Sequence, residues 1–186
     1  MGKLNGKPEL AASWRKLDSV VTVIALLALA PPLAQTARAQ SEAPGASTAV
    51  ADEIRSATMR FYAALNSALH GDLDPLSAVW SHRPDVSNLS AVGGRAVGWN
   101  EVHANFPNMV RLYPGGRIAP QDIIVVAGKD MGYSVCTETG QLRSVEGPMV
   151  TFNQRATNIF RLEEGKWKLI HHHADGSSAD SPGTTR

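Results

Sequence analysis

The residues best suited to chemistry lie near the end of the chain, in the segment from Trp167 to Asp175, which contains three consecutive histidines. Side chains alternate between the two faces of a β-strand. A regular strand therefore puts two apolar residues and two imidazoles on one face: Trp167, Leu169, His171 and His173. Imidazole titrates near neutral pH, so His171 or His173 could act as a catalytic acid or base. A structural pair and a shared metal ion remain as alternatives, and His172 should face solvent or a partner.

A second cluster of chemically capable residues is Trp80, His82 and Asp85. His82 and Asp85 could form a base and the carboxylate that orients it, with Asp85 as a catalytic residue. The alternative is a turn that ends a helix, because Pro84-Asp85 is typical turn chemistry. Trp80 is expected to line a pocket or fill the core, as is Trp99.

Three further residues could contact a substrate. An Arg155 guanidinium facing a cavity would bind a carboxylate or an enolate, whereas the alternative is a surface ion pair with Glu138 or Glu146. Tyr62 and Tyr133 could each donate a hydroxyl group into an apolar cavity, or simply pack. No metal site is predicted, because no third ligand is evident beside the two histidines.

The first 40 residues have the pattern of a secretory signal peptide. A basic start precedes an apolar run at Val20–Ala30, Pro31-Pro32 interrupts it, and Ala37-Arg38-Ala39 supplies small residues for cleavage. The run is shorter than the roughly 20 residues that span a bilayer, so we expect no stable membrane anchor after cleavage. The sequence therefore predicts an exported protein, periplasmic or extracellular.

Charge and cysteine content limit the possible partners. Residues 1–40 carry five of the 18 Lys/Arg and two of the 17 Asp/Glu, which leaves 13 basic and 15 acidic groups in the remainder. A chain with no basic excess is an unlikely partner for nucleic acid. Cys136 is the single cysteine, which excludes an intrachain disulfide and favours a buried thiol.

The predicted elements are three helices followed by a β-rich region. An apolar stripe over Val50–His70 indicates the first helix, and Asp74-Pro75 opens a short second one. A third runs from Trp99, with a kink or a division into two short helices expected at Pro107. The predicted strands are Val86–Val92, Arg95–Val97, Ile118–Ala127, Met131–Thr139, Pro148–Leu162 and Lys166–Ala174, with a tight turn at Glu163-Glu164-Gly165. This order predicts an α+β fold with helices on one face of a curved antiparallel sheet. The predicted organisation is a signal peptide (1–40), a flexible leader (41–49), one domain (50–175) and a disordered tail (176–186).

Several of these segments resemble SnoaL-like domains of the nuclear transport factor 2-like superfamily, which includes ketosteroid isomerase. The resemblance is carried by Arg155–Arg161, Trp167–His173, Phe61–Leu65, Trp80-Ser81-His82 and Gly98-Trp99, and it covers about residues 50–175. It implies a cone-shaped α+β barrel with a pocket under the sheet, usually in a homodimer. It also implies Asp85 as a residue near the position of the family's catalytic base.

Two functions follow as expectations. The first is an isomerase, dehydratase or cyclase that acts on a small apolar, carbonyl-containing molecule by histidine acid/base chemistry, without a cofactor. In it, Arg155 or Tyr133 would stabilise the developing negative charge. The second is a non-catalytic ligand-binding or assembly module with the same fold.

Overall fold

The computed structural model describes residues 44–91 and 94–176, with side chains from residue 48 onward. The predicted signal peptide, the first residues of the leader, Val92-Gly93 of the predicted hairpin and residues 177–186 of the tail lie outside the described residues. The helix predicted from Val50 already begins at Pro44, so the second part of the proposed leader is helical.

Three helices carry the apolar stripes that the sequence indicates. Helix α1 (Pro44–Leu69) buries its inner face, α2 (Asp74–Val79) buries Leu76, and α3 (Trp99–Leu112) buries Val102 and Phe106. α3 is not divided into two short helices, because Pro107 lies inside one continuous helix. Pro107 and His103 are both exposed, so water can reach the His103 carbonyl that the missing N–H leaves unpaired. Among the helices that the structure describes, none is both long and apolar enough to cross a membrane.

Six strands form one sheet with the order β2-β1-β6-β5-β4-β3. The strands are β1 (Ser87–Leu89), β2 (Arg95–Val97), β3 (Gly116–Ala127), β4 (Met131–Arg143), β5 (Met149–Glu163) and β6 (Lys166–Gly176). The predicted α+β fold is confirmed, but the sheet is mixed rather than antiparallel, because β1 pairs in parallel with β6. Strand β4 also extends to Arg143, into the connection predicted from Gln141.

The hairpin of β5 and β6 has the predicted tight turn, but side chains do not alternate along β6 in the predicted way. Glu163 pairs with Lys166 across the predicted tight turn, where Glu164 and Gly165 have positive φ. Farther along, Phe160 pairs with Leu169 but Ile159 pairs with His171, so Ile170 is an extra residue in a β-bulge. One extra residue reverses the alternation for the rest of the strand.

The consequence is that His172, not His171 and His173, shares the inner face with Trp167 and Leu169. Trp167 and Leu169 are buried before the bulge, and His172 and Ala174 are buried after it. The predicted inward pair is therefore wrong, and so is the outward orientation of His172. The core lies between this inner face, α1 and the other helices.

Candidate active site

A cavity of about 520 Å³ lies between the helices and the inner face of the sheet. Such a volume is typical of small-molecule sites. Its walls are mostly apolar, with contributions from α1, α2, α3 and β5: Phe61, Leu65, Leu76, Phe106, Met109 and Phe152. Polar side chains enter it from the sheet, namely Asn88, Glu138, Gln154 and His172.

Glu138 is a carboxylate held inside the protein. Only 1% of the residue is exposed, on an inward position of β4. Its two oxygens accept separate hydrogen bonds, Oε1 from the Tyr62 hydroxyl at 2.8 Å and Oε2 from Gln154 Nε2 at 2.6 Å. Both oxygens thus act as acceptors, and the two donors fix the orientation of the Glu138 carboxyl group in the cavity wall.

His172 lies beside that carboxylate with a defined tautomer. Asn158 donates from Nδ2 to Tyr62 and Ser134, so its Oδ1 is the acceptor for His172 Nδ1–H at 2.8 Å. This leaves His172 Nε2 on the side of Glu138 Oε1, 3.8 Å away. Burial lowers the pKa of the His172 imidazole below its ordinary value of 6.5, and the Glu138 carboxylate opposes that shift. At neutral pH His172 is thus an uncharged imidazole with a basic Nε2.

A buried polar network fixes both groups from behind. Tyr62 connects them, because its hydroxyl donates to Glu138 and accepts from Asn158. The Cys136 thiol lies 3.2 Å from the same hydroxyl, and burial raises the pKa of both the thiol and the phenol. Thr58 on α1 donates to Ser134 Oγ at 2.9 Å. The network ties α1 to β4, β5 and β6, so the candidate site is positioned by rigid elements.

The two histidines predicted to be catalytic lie on the opposite face of the sheet. His171 Nδ1 is 2.8 Å from Ser87 Oγ, and His173 is exposed. Burial, followed by the proximity of His173, lowers the pKa of His171. Their ring centroids are 6.4 Å apart, and neither residue lines the cavity.

The predicted pair of His82 and Asp85 does not form. Asp85 instead binds Arg161 with both oxygens, at 2.6 and 3.1 Å, and this contact lowers the pKa of the Asp85 carboxyl. His82 Nε2 lies 2.9 Å from the Ser77 carbonyl, and its ring stacks on Trp99 with centroids 4.0 Å apart. All of these side chains lie outside the cavity wall, so Asp85 is not a base there. The turn alternative describes this segment better.

The other residues predicted to contact a substrate lie partly on the surface and partly at the cavity. Arg155 forms an exposed ion pair, at 2.8 Å, with Asp175, its cross-strand neighbour on β6. The alternative of a surface ion pair therefore applies, but with Asp175 in place of Glu138 or Glu146. Tyr133 is on the outer face and 39% exposed. Tyr62 is in the network behind the cavity, and Trp80 lines the cavity as predicted. Cys136 is buried, which confirms that prediction.

The sequence analysis missed Glu138, Gln154 and Asn158 as site residues. Strand β4 buries Ser134, Cys136 and Glu138 and turns Tyr133 and Val135 outward, so its more polar face is the inner one. The available signal was the order Tyr133-Ser134-Val135, in which a polar residue lies between two apolar ones along β4. Within the described ranges, no group of three His, Cys, Asp or Glu residues is arranged to bind a metal ion.

Comparisons with known proteins match both the sequence and the fold. The model of the SnoaL-like domain family matches residues 54–177. A proposed dehydratase of the nuclear transport factor 2-like family from Streptomyces avermitilis is 23% identical, with a TM-score of 0.63 over 71% of this chain and 99% of its own. A proposed scytalone dehydratase from Novosphingobium aromaticivorans is 12% identical, with a TM-score of 0.58 over 68% of this chain and 83% of its own.

A third solved structure is named for assembly rather than catalysis. It is a proposed calcium/calmodulin-dependent protein kinase type II association domain from Thiobacillus denitrificans, 22% identical, with a TM-score of 0.57 over 67% of this chain and 94% of its own. The comparison with curated proteins gave no significant match. At these identities the solved structures establish the fold alone.

Proposed function

Since the chain belongs to the SnoaL-like domain family, we propose that it catalyses proton transfer on a small, mostly apolar molecule that carries a carbonyl group. The observation that carries this proposal is the buried pair of His172 and Glu138, 3.8 Å apart in the wall of an apolar cavity. A histidine with a pKa shifted by burial, beside a carboxyl group in the wall of a pocket, is typical of acid/base sites.

In the proposed mechanism His172 is the base. Neutral Nε2 removes a proton from a carbon next to the carbonyl, while Nδ1–H stays bonded to Asn158 Oδ1. The Glu138 carboxylate then stabilises the imidazolium that forms. His172 returns the proton to another atom of the same molecule, which gives an isomerisation, or to a departing hydroxyl group, which gives a dehydration.

The proton-abstraction step can be tested without the natural substrate. The protein is incubated in D2O with a set of apolar cyclic ketones such as 2-tetralone, and NMR follows exchange of the hydrogens next to the carbonyl. We expect His172→Gln to slow catalysed exchange at least about a hundredfold, the lower range for a lost acid/base group. The matched control is His171→Gln, on the same strand but the outer face, which should exchange at the wild-type rate. Equal rates for wild type and His172→Gln would contradict the proposal.

A second candidate function, assembly through the outer face of the sheet, is favoured by the surface of β3, β4 and β5. Two neighbouring cross-strand rows of that face contain no charged residue. One row is Val126, Tyr133 and Ile159, and the other is Ile124, Val135 and Thr157. Ile124 is 62% and Val126 46% exposed. A continuous apolar patch of this kind indicates a protein interface. A second copy is its proposed occupant, because two such uncharged patches match each other about a twofold axis.

Sedimentation measurements test this assembly. Val126→Lys puts a charge on the β3 side of the patch and should convert a dimer into a monomer. Val145→Lys is the matched control, because Val145 is 58% exposed but lies in the β4–β5 connection. A monomeric wild-type protein, or a Val126→Lys variant that stays dimeric, would refute the outer face as the interface.

A further inference from the structure

Two buried polar atoms in the cavity wall have no hydrogen-bond partner among the described residues. They are Trp80 Nε1 and Asn88 Oδ1. Trp80 is 2% exposed, and both residues line the cavity that contains His172 and Glu138. An unpaired buried polar atom is costly, so native proteins seldom keep one without a reason.

The sheet register puts both residues beside β6, the strand that carries the proposed base. Asn88 on β1 is the direct partner of His172 on β6, so the two side chains share the inner face on adjacent strands. Adjacent strands lie about 4.8 Å apart. Trp80 is bridged to Leu169, the inner residue that precedes His172 on β6. Trp80 and Asn88 thus occupy successive inner positions along the same side of β6.

Their chemistry specifies the group that would pair with them. The indole N–H only donates and the amide oxygen only accepts. A ketone oxygen would satisfy Trp80 alone, and an ammonium group would satisfy Asn88 alone. A hydroxyl group has one donor and two acceptor sites, so it is the smallest uncharged oxygen group of a substrate that satisfies both.

We propose that Trp80 Nε1 and Asn88 Oδ1 form a hydroxyl-binding subsite, and that the substrate is a hydroxylated carbonyl compound. The inference rests on the proposed function, because it assigns the substrate class of the same cavity. The substrate oxygen accepts from Trp80 and donates to Asn88, and this fixes the carbon skeleton beside His172. Trp80 and Asn88 are specificity-determining residues in this scheme and take no part in proton transfer.

Equilibrium binding of three matched probes tests the subsite by calorimetry, with no need for turnover. The probes are 2-naphthol, which donates and accepts, 2-methoxynaphthalene, which only accepts, and naphthalene, which does neither. The methoxy oxygen can accept from Trp80 but leaves Asn88 Oδ1 unpaired, whereas the hydroxyl group satisfies both, so we expect 2-naphthol to bind at least about tenfold more tightly than 2-methoxynaphthalene. Asn88→Leu should remove that preference. Trp80→Phe should weaken 2-naphthol about tenfold and naphthalene much less.

Controls separate this inference from the proposed function and from misfolding. Trp99→Phe is the matched control, because Trp99 lies outside the cavity wall, and it should bind all three probes as wild type does. His172→Gln should abolish catalysed exchange while retaining the preference for 2-naphthol. Should Trp80→Phe fail to fold by circular dichroism, Asn88→Leu still decides the question. Two results would overturn the subsite: equal affinity of the wild type for 2-naphthol and 2-methoxynaphthalene, or no binding of any probe at millimolar concentration. Neither result bears on His172 as the base, which the exchange assay tests separately.

Discussion

Among the residues of the buried polar network, Glu138 is expected to contribute most to the stability of the fold. The free energy of unfolding of a Glu138→Ala variant measures this contribution. The substitution removes the acceptor of the Tyr62 hydroxyl and of Gln154 Nε2 together. A buried group left without its partner costs about 1–3 kcal/mol. Tyr62 is 2% exposed and should incur most of that cost, whereas Gln154 is only partly buried and can bond to water in the cavity.

The expected net effect is a loss of about 2–3 kcal/mol in the free energy of unfolding. It is smaller than the sum of two full penalties, because removing the carboxylate also relieves the cost of burying a charge. For a domain of this size the melting temperature should fall by about 5–10 °C. Urea unfolding followed by circular dichroism measures the free energy, and Glu146→Ala, at an exposed carboxylate after β4, is the matched control with a change within about 0.5 kcal/mol.

A double-mutant cycle tests the reason for the loss. Glu138→Leu leaves the Tyr62 hydroxyl unpaired, but Glu138→Leu combined with Tyr62→Phe removes both ends of the hydrogen bond. The double variant should therefore be more stable than the sum of the two single losses predicts, by about 1 kcal/mol or more. If Glu138→Ala costs no more than Glu146→Ala, or if the two losses add without coupling, the network does not have the role assigned to it.

Three further outcomes follow from other parts of the structure. Folding lowers the pKa of His172, so below about pH 6.5 its imidazole is protonated more readily in the unfolded chain than in the folded protein, and the free energy of unfolding decreases as the pH falls. His172→Gln should reduce this dependence of the free energy of unfolding on pH, measured by urea unfolding between about pH 6.5 and 5. Arg161→Ala should raise the lowered pKa of both Asp85 and Glu163 in an NMR titration and remove stability that is lost in the wild type as these carboxylates protonate. The loss should exceed the roughly 1 kcal/mol of an exposed pair such as Arg161–Asp85, because Arg161 also binds the more buried Glu163 at 2.7 Å. Gly140→Ala would place a Cβ in a steric clash with the backbone carbonyl oxygen of Arg117 and should cost about 2 kcal/mol or more in thermal unfolding, whereas Gly147→Ala, with nothing within 4 Å, should be neutral.

Local patterns were sufficient to predict the helices and the turns. The apolar stripe of α1 is real, with Ile54 and Phe61 buried, and the turn at Glu164-Gly165 joins the strands as expected. These features depend on residues close in sequence, whose preferences a single chain reveals. The fold could be predicted for the same reason, since helices followed by long strands permit few arrangements.

The site could not be predicted in the same way, because the usual assumption about strands is inverted here. Apolar residues were expected to face inward, yet β4 turns Tyr133 and Val135 outward and buries Ser134 and Glu138. A strand does this when its inner face supplies polar groups to a site. That condition cannot be read from β4 alone, since it depends on groups distant in sequence.

The bulge at Ile170 is explained by those distant groups as well. In a regular strand His171 and His173 would occupy the inner positions, and two imidazoles would need partners and space inside. The bulge instead aligns His172 with Asn158, whose carbonyl accepts its Nδ1–H, and aligns Ala174 with Ala156 in the next inner row. That row consists of small side chains and leaves room for the cavity, which a second imidazole at the position of Ala174 would occupy. Hydrogen bonding and volume thus favour the same register, and together they determine which of three adjacent histidines reaches the cavity.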